Sequence, residues 1–245
     1  MVNDADWGFF NEHGFVILRG VLQGEYLERI QAAFDEVWEQ EKPQVTQHQL
    51  LKYRAFIDLI EHPMILDQHV AVFGSQVQLL QYDLLRQGPN NDGPARGWHR
   101  DFAFPGDYPL SINTIVYLDE MTDERGPTCA LPGSHRGWKH PPIGGEDRSN
   151  PIEGEYAAYA NPGDALFING AVWHSGGINQ TDGLRRGIFL YYGHWWLKRF
   201  EWQQDIPWQA LEGADERRLS LLGFKPQQDD LHIYQPDALR NRDRV

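Results

Sequence analysis

The stretch Asn161-Pro162-Gly163-Asp164-Ala165-Leu166-Phe167-Ile168-Asn169-Gly170-Ala171-Val172-Trp173-His174-Ser175-Gly176-Gly177 holds a Pro-Gly-Asp turn, an apolar run and then a histidine ahead of a glycine pair. A short apolar run bounded by turn residues is the pattern of a β-strand. The same pattern recurs at Val77–Leu85, Ile112–Leu118 and Gly187–Tyr192. Between these runs lie segments crowded with Gly, Pro, Asn and Asp, such as Gly88-Pro89-Asn90-Asn91-Asp92-Gly93-Pro94. Many short strands separated by such loops predict a sandwich or jelly roll. The front of the chain differs. Gly14-Phe15-Val16-Ile17-Leu18 reads as a strand, and residues from about 23 to 74 read as helix. There Leu27, Ile30, Phe34, Val37 and Trp38 recur at helical spacing until Lys42-Pro43, a second helical stretch runs from about Gln47 to Ile60, and Pro63 opens a third. The segment from Trp196 onward reads as mixed, with helix around Ala214–Leu222, and completes the fold. The expectation is one mainly β domain over residues 1–245, with helices flanking one sheet.

Composition narrows the function. The chain has 245 residues, 41% hydrophobic and 23% charged, the balance of an ordinary globular protein. Its formal net charge of −13 would repel a polyanion, so nucleic acid is not an expected partner. The one basic cluster, Arg240, Arg242 and Arg244, reads as a solvated tail. No apolar run approaches the roughly twenty residues of a membrane span. The acidic start MVNDADWGFF does not read as a secretory signal, and the single Cys129 forms no internal disulfide. A cytoplasmic location is expected. Aromatic residues make up 13% of the chain, enough to build either a core or a small-molecule pocket.

The chemistry starts at Trp98-His99-Arg100-Asp101. Residues two apart on an extended segment point to one side, so His99 and Asp101 can offer an imidazole nitrogen and a carboxylate oxygen to one ion. It is the only His-x-acid pair among the ten histidines. Two histidines and one carboxylate on one face of a metal leave positions open, the arrangement of non-haem Fe(II) oxygenases. His174, just past its strand, is the favoured third ligand, and His194, beside Trp195 and Trp196, is the rival. His13, His48, His62 and His69 fall in the N-terminal portion, and His135 and His140 in a loop. The aromatics around the pair, Trp98, Phe102, Phe104 and Trp173, are the candidate substrate pocket. Eleven residues after His174 come Arg185 and Arg186, at the start of an apolar strand. A guanidinium buried there needs an anion, and its fork suits a carboxylate. A dicarboxylate chelating the metal at one end would present its other end to such a group. Alternation along the strand turns only one of the two arginines inward.

These residues resemble the phytanoyl-CoA dioxygenase family of Fe(II)- and 2-oxoglutarate-dependent oxygenases. The resemblance rests on Phe15-Val16-Ile17, Trp98-His99-Arg100-Asp101, Tyr117-Leu118-Asp119-Glu120, Gly126-Pro127, Leu131-Pro132-Gly133-Ser134-His135, Gly163-Asp164, His174 with Asn179, and Arg185-Arg186. It implies a double-stranded β-helix (a jelly roll, cupin-like) with His99, Asp101 and His174 on iron. It implies that Arg185, with Arg186 in reserve, grips the far carboxylate of 2-oxoglutarate, and it assigns Asn113 to the co-substrate or substrate. His135 is implied to be part of a structural turn. The chain departs from the family pattern at Gly176, where a small hydroxyl residue is frequent, and at Ile115, where an aromatic is frequent. Asp101 argues against halogenation, for which the family's halogenases lack the carboxylate.

The expected activity is hydroxylation of an unactivated C–H bond of a small organic molecule, a secondary metabolite by preference, with O₂ consumed and succinate and CO₂ released. Two other classes stay open: a cupin-like metal enzyme that does not use 2-oxoglutarate, and a non-catalytic jelly-roll binding module. The sequence does not settle the substrate or the oligomeric state.

Overall fold

The computed structural model describes residues 4–42, 45–90, 97–139, 151–201 and 203–224. Pro43, residues 91–94 of the turn-rich loop, His140 and the C-terminal Arg240, Arg242 and Arg244 lie outside the described residues. In chain order the elements are α1 (Asp4–His13), β1 (Phe15–Leu18), α2 (Gly24–Glu41), α3 (Gln47–Leu50), α4 (Arg54–Ile60), α5 (Pro63–Phe73), β2 (Gln78–Gln87), β3 (Ser111–Tyr117) and β4 (Thr128–Ala130). They continue as β5 (Tyr156–Ala158), β6 (Ala165–Asn169), β7 (His174–Ser175), β8 (Arg185–Gly193), α6 (Trp208–Leu211) and α7 (Glu216–Leu221). Among the described residues no helix is long and apolar enough to cross a membrane. Packing divides the chain into two compact units, one of Gly24–Leu84 with Phe189–Val245, the other of Val2–Gln23 with Leu85–Ile188.

The first unit carries the helices. Ile30, Phe34 and Val37 of α2 are buried at the i, i+4, i+7 spacing that puts them on one face. The stretch expected as one helix from 47 to 60 is two, α3 and α4. Lys52 and Tyr53 bond back three residues rather than four, and Tyr53 is extended, which ends the first helix before the second begins. Helix α5 opens with Pro63, whose missing N–H costs nothing at that position, and stops at Gly74 with φ of 83°. Two fully buried tyrosines tie β2 and β8 to α4: the Tyr82 hydroxyl donates to the Phe56 carbonyl and the Tyr192 hydroxyl to the Ile60 carbonyl.

The second unit carries the sheets. Strands lie in the order β1-β6-β3-β8-β2 in one and β5-β4-β7 in the other. β6 pairs antiparallel with β1 (Phe15↔Ile168 to Leu18↔Ala165) and with β3 (Ile112↔Asn169 to Val116↔Ala165). All residues of β3 and β6 are buried, which is why they read as continuous apolar runs rather than alternating ones. In the smaller sheet Thr128 lies opposite Ala158, and Ala130 opposite His174. β4, β5 and β7 are only two or three residues long, too short for any alternation to show. Helix α1, which the sequence reading omitted, is mostly polar; its one clear signal is the Trp7–Phe10 pair, whose rings meet edge to face at 5.4 Å.

The Gly163-Asp164 turn sets the start of β6. Gly163 takes φ of 87°, open to glycine and strained for other residues. The buried Asp164 carboxylate accepts from the Gly20 N–H (2.7 Å), the Asn161 N–H (2.8 Å) and the Arg19 guanidinium (2.7 Å). It therefore fixes the exit of β1 and the entry of β6 together. Asp164→Ala orphans two backbone donors and should lower the unfolding free energy by about 2–4 kcal/mol. Urea denaturation checks this, and an unchanged midpoint would contradict it.

Candidate metal centre

His99 and His174 face each other across an isolated antiparallel bridge in the second unit. The His99 N–H donates to the His174 carbonyl (2.9 Å), and the His174 N–H donates to the His99 carbonyl (3.0 Å). This backbone pair brings the two imidazoles side by side, with ring centroids 4.2 Å apart. Asp101, two residues beyond His99, returns its carboxylate to the same spot. Its Oδ1 is 3.6 Å from Nε2 of His99 and 3.6 Å from Nε2 of His174. Each residue offers one ligand atom, and all three lie within 4.8 Å of one another. Among the described residues no other group of three His, Cys, Asp or Glu side chains converges in this way.

The other imidazole nitrogens are engaged. Nδ1 of His99 lies 2.7 Å from the Gly97 carbonyl, and Nδ1 of His174 lies 3.0 Å from the Val172 carbonyl. A carbonyl can only accept, so Nδ1 carries the proton and Nε2 keeps a lone pair facing Asp101. Fixing the tautomer through the remote nitrogen is the usual orientation device of histidine metal ligands. The proton affinities of the two rings split. The Asp101 carboxylate, which would accept from the protonated ring, raises the pKa of half-exposed His99, and burial lowers that of His174.

Around this cluster sit buried polar groups with unfilled capacity. Asn113 on β3 is buried, with Nδ2 3.5 Å from the second Asp101 oxygen; its Oδ1 has no partner among the described residues. Arg185, the first residue of β8, is 3% exposed, and its Nε is unpartnered among the described residues. Burial lowers its pKa, and no carboxylate among the described residues acts on it. Arg186 faces the other way and is neutralised by Asp119, which takes its Nη2 (2.8 Å), its Nε (3.2 Å) and its backbone N–H (2.7 Å). The strand thus turns one arginine outward to an acid and leaves the other inside without one. Gly176 lies beside this second guanidinium: a Cβ there would be 3.8 Å from Nη2 of Arg185. Two residues that the sequence reading did not single out for this site, Tyr117 and Thr128, form a buried hydroxyl pair (3.0 Å) close enough for Tyr117 and Arg185 to influence each other's ionisation. Tyr117 opens the quoted motif Tyr117-Leu118-Asp119-Glu120 without a role assigned to it, and Thr128 directly follows Gly126-Pro127.

The aromatic candidates divide. Trp98 and Trp173 pack with Cys129 in a small buried cluster rimmed by Leu131, Ile152 and Ala157. Phe102 is half-buried, its N–H bound to the Gly170 carbonyl, and Phe104 is 62% exposed. His194, the rival ligand, lies in the first unit, stacked on Trp196 and edge-on to Phe73. His69 is a core residue, buried against Tyr192 and held neutral with its pKa near 3 by that burial.

The chain is similar to several known proteins. The chain is 29% identical to the dioxygenase trt7 of Aspergillus terreus over 206 residues, 72% of this chain and 68% of that protein. It is 33% identical to the dioxygenase andF of Emericella variicolor over 137 residues, 52% of this chain and 45% of the relative. The chain thus spans about two thirds of one curated relative and under half of the other. Among solved structures, HygX from Streptomyces hygroscopicus with nickel and 2-oxoglutarate bound aligns with a TM-score of 0.66 at 18% identity, covering 80% of this chain and 89% of that one. SnoK, a non-heme alpha ketoglutarate dependent carbocyclase from nogalamycin biosynthesis, aligns at 0.63 with 21% identity, covering 78% and 84%. These likenesses show the fold, a mainly β jelly roll with flanking helices. The sequence profile of phytanoyl-CoA dioxygenase (PhyH) matches residues 10–187. The chain therefore belongs to the phytanoyl-CoA dioxygenase family of oxygenases.

Proposed function

We propose that the chain is an Fe(II)- and 2-oxoglutarate-dependent oxygenase in which His99, Asp101 and His174 hold the metal and Arg185 binds the far carboxylate of the co-substrate. One observation carries the reading: a buried guanidinium with no carboxylate partner among the described residues, in the same unit as two imidazoles and a carboxylate that converge. A buried charge of this kind costs several kcal/mol unless an anion joins it. The donor set fits iron, being two nitrogens and one oxygen with their lone pairs turned inward, and it leaves coordination positions for other ligands. When bound, iron(II) with 2-oxoglutarate would supply decarboxylative activation of O₂, releasing succinate and CO₂. The finer outcome we propose is hydroxylation of an unactivated C–H bond of a small organic molecule.

The chain's own residues have defined tasks in this scheme. The Gly97 and Val172 carbonyls hold both histidines in the ligating tautomer. Asp101 contributes the one negative charge of the set, and Asn113, 3.5 Å from it, is placed to steady its second oxygen or to meet the co-substrate. Arg185 selects a ligand carrying two anionic ends over one carrying a single end. Substrate contact falls to Phe102 and Phe104, while Trp98 and Trp173 pack beneath the ligand-bearing segments. Asp119 holds Arg186 away from this work.

Four outcomes test the reading. Anaerobic addition of Fe(II) and 2-oxoglutarate should give a weak visible charge-transfer band that His174→Ala and Asp101→Ala abolish; a folded, iron-loaded protein without the band would reject it. Arg185→Met should raise the 2-oxoglutarate dissociation constant at least about 30-fold, while Arg186→Gln changes it little. The same Arg185→Met protein, relieved of an unpaired buried charge, should melt no lower than the parent without co-substrate. Calorimetry and thermal melts check both, and equal effects of the two arginine variants would count against Arg185. Metal binding also needs neutral imidazoles. Because Asp101 raises the His99 pKa, affinity for Co(II) should begin to fall at a pH above the ordinary histidine range, by about tenfold per pH unit for one proton. His174, lowered by burial, adds its own proton only at lower pH. A flat affinity between pH 8 and 5 would contradict the assignment of both rings.

A further inference from the structure

The three candidate ligands come from two separate segments, one around His99–Asp101 and one ending at His174. Among the described residues their direct backbone links are the bridge described above, one rung of two hydrogen bonds, and the bond from the Phe102 N–H to the Gly170 carbonyl (2.9 Å). So few bonds are worth little net stability, since each replaces a hydrogen bond to water. Something else must hold the segments in register, and the residue between the first two ligands points to it.

Arg100 projects away from the His99 and Asp101 side chains, as its place between them on an extended segment requires. Its Nη2 donates to two carbonyls of one turn, Ser134 and Gly137, both at 2.6 Å. Its guanidinium carbon lies 5.1 Å from the centre of the Trp173 ring, within cation–π range, and Trp173 immediately precedes His174. The same turn grips Trp173 from the backbone side. The Trp173 N–H donates to the Ser134 hydroxyl (2.9 Å), and the Trp173 carbonyl accepts from the Leu131 N–H (2.9 Å). The turn is itself anchored. Gly133, with φ of 73°, donates to the His13 carbonyl, the His135 carbonyl accepts from Gly106, and Arg136 reaches the Asn11 carbonyl. Ser134 thus touches one ligand segment with its carbonyl and the other with its hydroxyl.

We propose that Arg100 and Ser134 are positioning residues, which through the turn 131–137 hold the two ligand-bearing segments in the register at which His99, Asp101 and His174 meet one metal ion. The inference rests on the metal reading of the site proposed above. It explains why a cation stands between two ligands of a cation site: Nη2 of the guanidinium donates to two carbonyls while its planar face lies within cation–π range of an indole, and a lysine has neither that planar face nor the same reach.

The test is anaerobic titration of the full chain with Co(II) alone, read by calorimetry and by the cobalt d–d absorption, beside thermal melts of the metal-free proteins. Arg100→Lys and Ser134→Ala should each weaken Co(II) binding by about tenfold or more and shift the d–d bands. Ser134→Thr, which keeps the hydroxyl, should bind within about threefold of the parent. Dissociation constants and bands unchanged in Arg100→Lys and Ser134→Ala would overturn the proposal, even if both proteins melt lower. Should either fail to fold, Trp173→Leu keeps the backbone contacts and removes the aromatic face under Arg100; bands identical to the parent's would then overturn it. His174→Ala separates the two levels. If it leaves Co(II) binding intact, the metal reading itself fails; if it abolishes binding while the clamp variants bind as the parent does, only the clamp fails.

Discussion

The backbone pair between His99 and His174 is the constraint on which the site depends. Two hydrogen bonds between the same two residues fix their Cα atoms opposite each other, and in an antiparallel pair this sends both side chains to one side. The position of Asp101 follows, because it lies two residues along the same extended segment. A shift by one residue in either segment would replace a histidine with Arg100 or Trp98 on one side, or with Trp173 or Ser175 on the other. None of those could complete the set. The ligand geometry is thus a matter of register before it is a matter of side-chain chemistry.

Charge accounting links the cluster to the guanidinium at the head of β8. Two neutral imidazoles and one carboxylate leave a metal dication with excess positive charge, and Arg185 adds another that nothing among the described residues offsets. A dianion spanning both would bring the whole site close to neutral. The opposite face of the same strand shows the contrast: Arg186 has its own acid, Asp119, and needs no ligand.

Much of the fold was legible because the strands of the larger sheet are buried runs between turn residues, as at Ala165–Ile168 and Ile112–Leu118. The split of the second helical stretch and the presence of α1 were not, since local hydrogen bonding near Tyr53 and a mostly polar helix leave no periodic signal. At the site, spacing alone suggested that His99 and Asp101 act together, and strand alternation said that one arginine of two turns inward. Which one depends on where Asp119 lies, a tertiary fact. The preference for His174 over His194 rested on position after a strand; the structure adds that His194 is stacked among aromatics of the first unit. The task of Arg100 was invisible because its partners are backbone carbonyls, which carry no residue identity.

The most direct test of the account is a crystal structure grown anaerobically with Mn(II) and 2-oxoglutarate, with the metal located by anomalous scattering. The account predicts one peak at ordinary coordination distance from Nε2 of His99, Nε2 of His174 and the Asp101 carboxylate, with the far carboxylate of 2-oxoglutarate in two-point contact with Arg185. A metal held at His194, or a co-substrate carboxylate seated on Arg186, would contradict it.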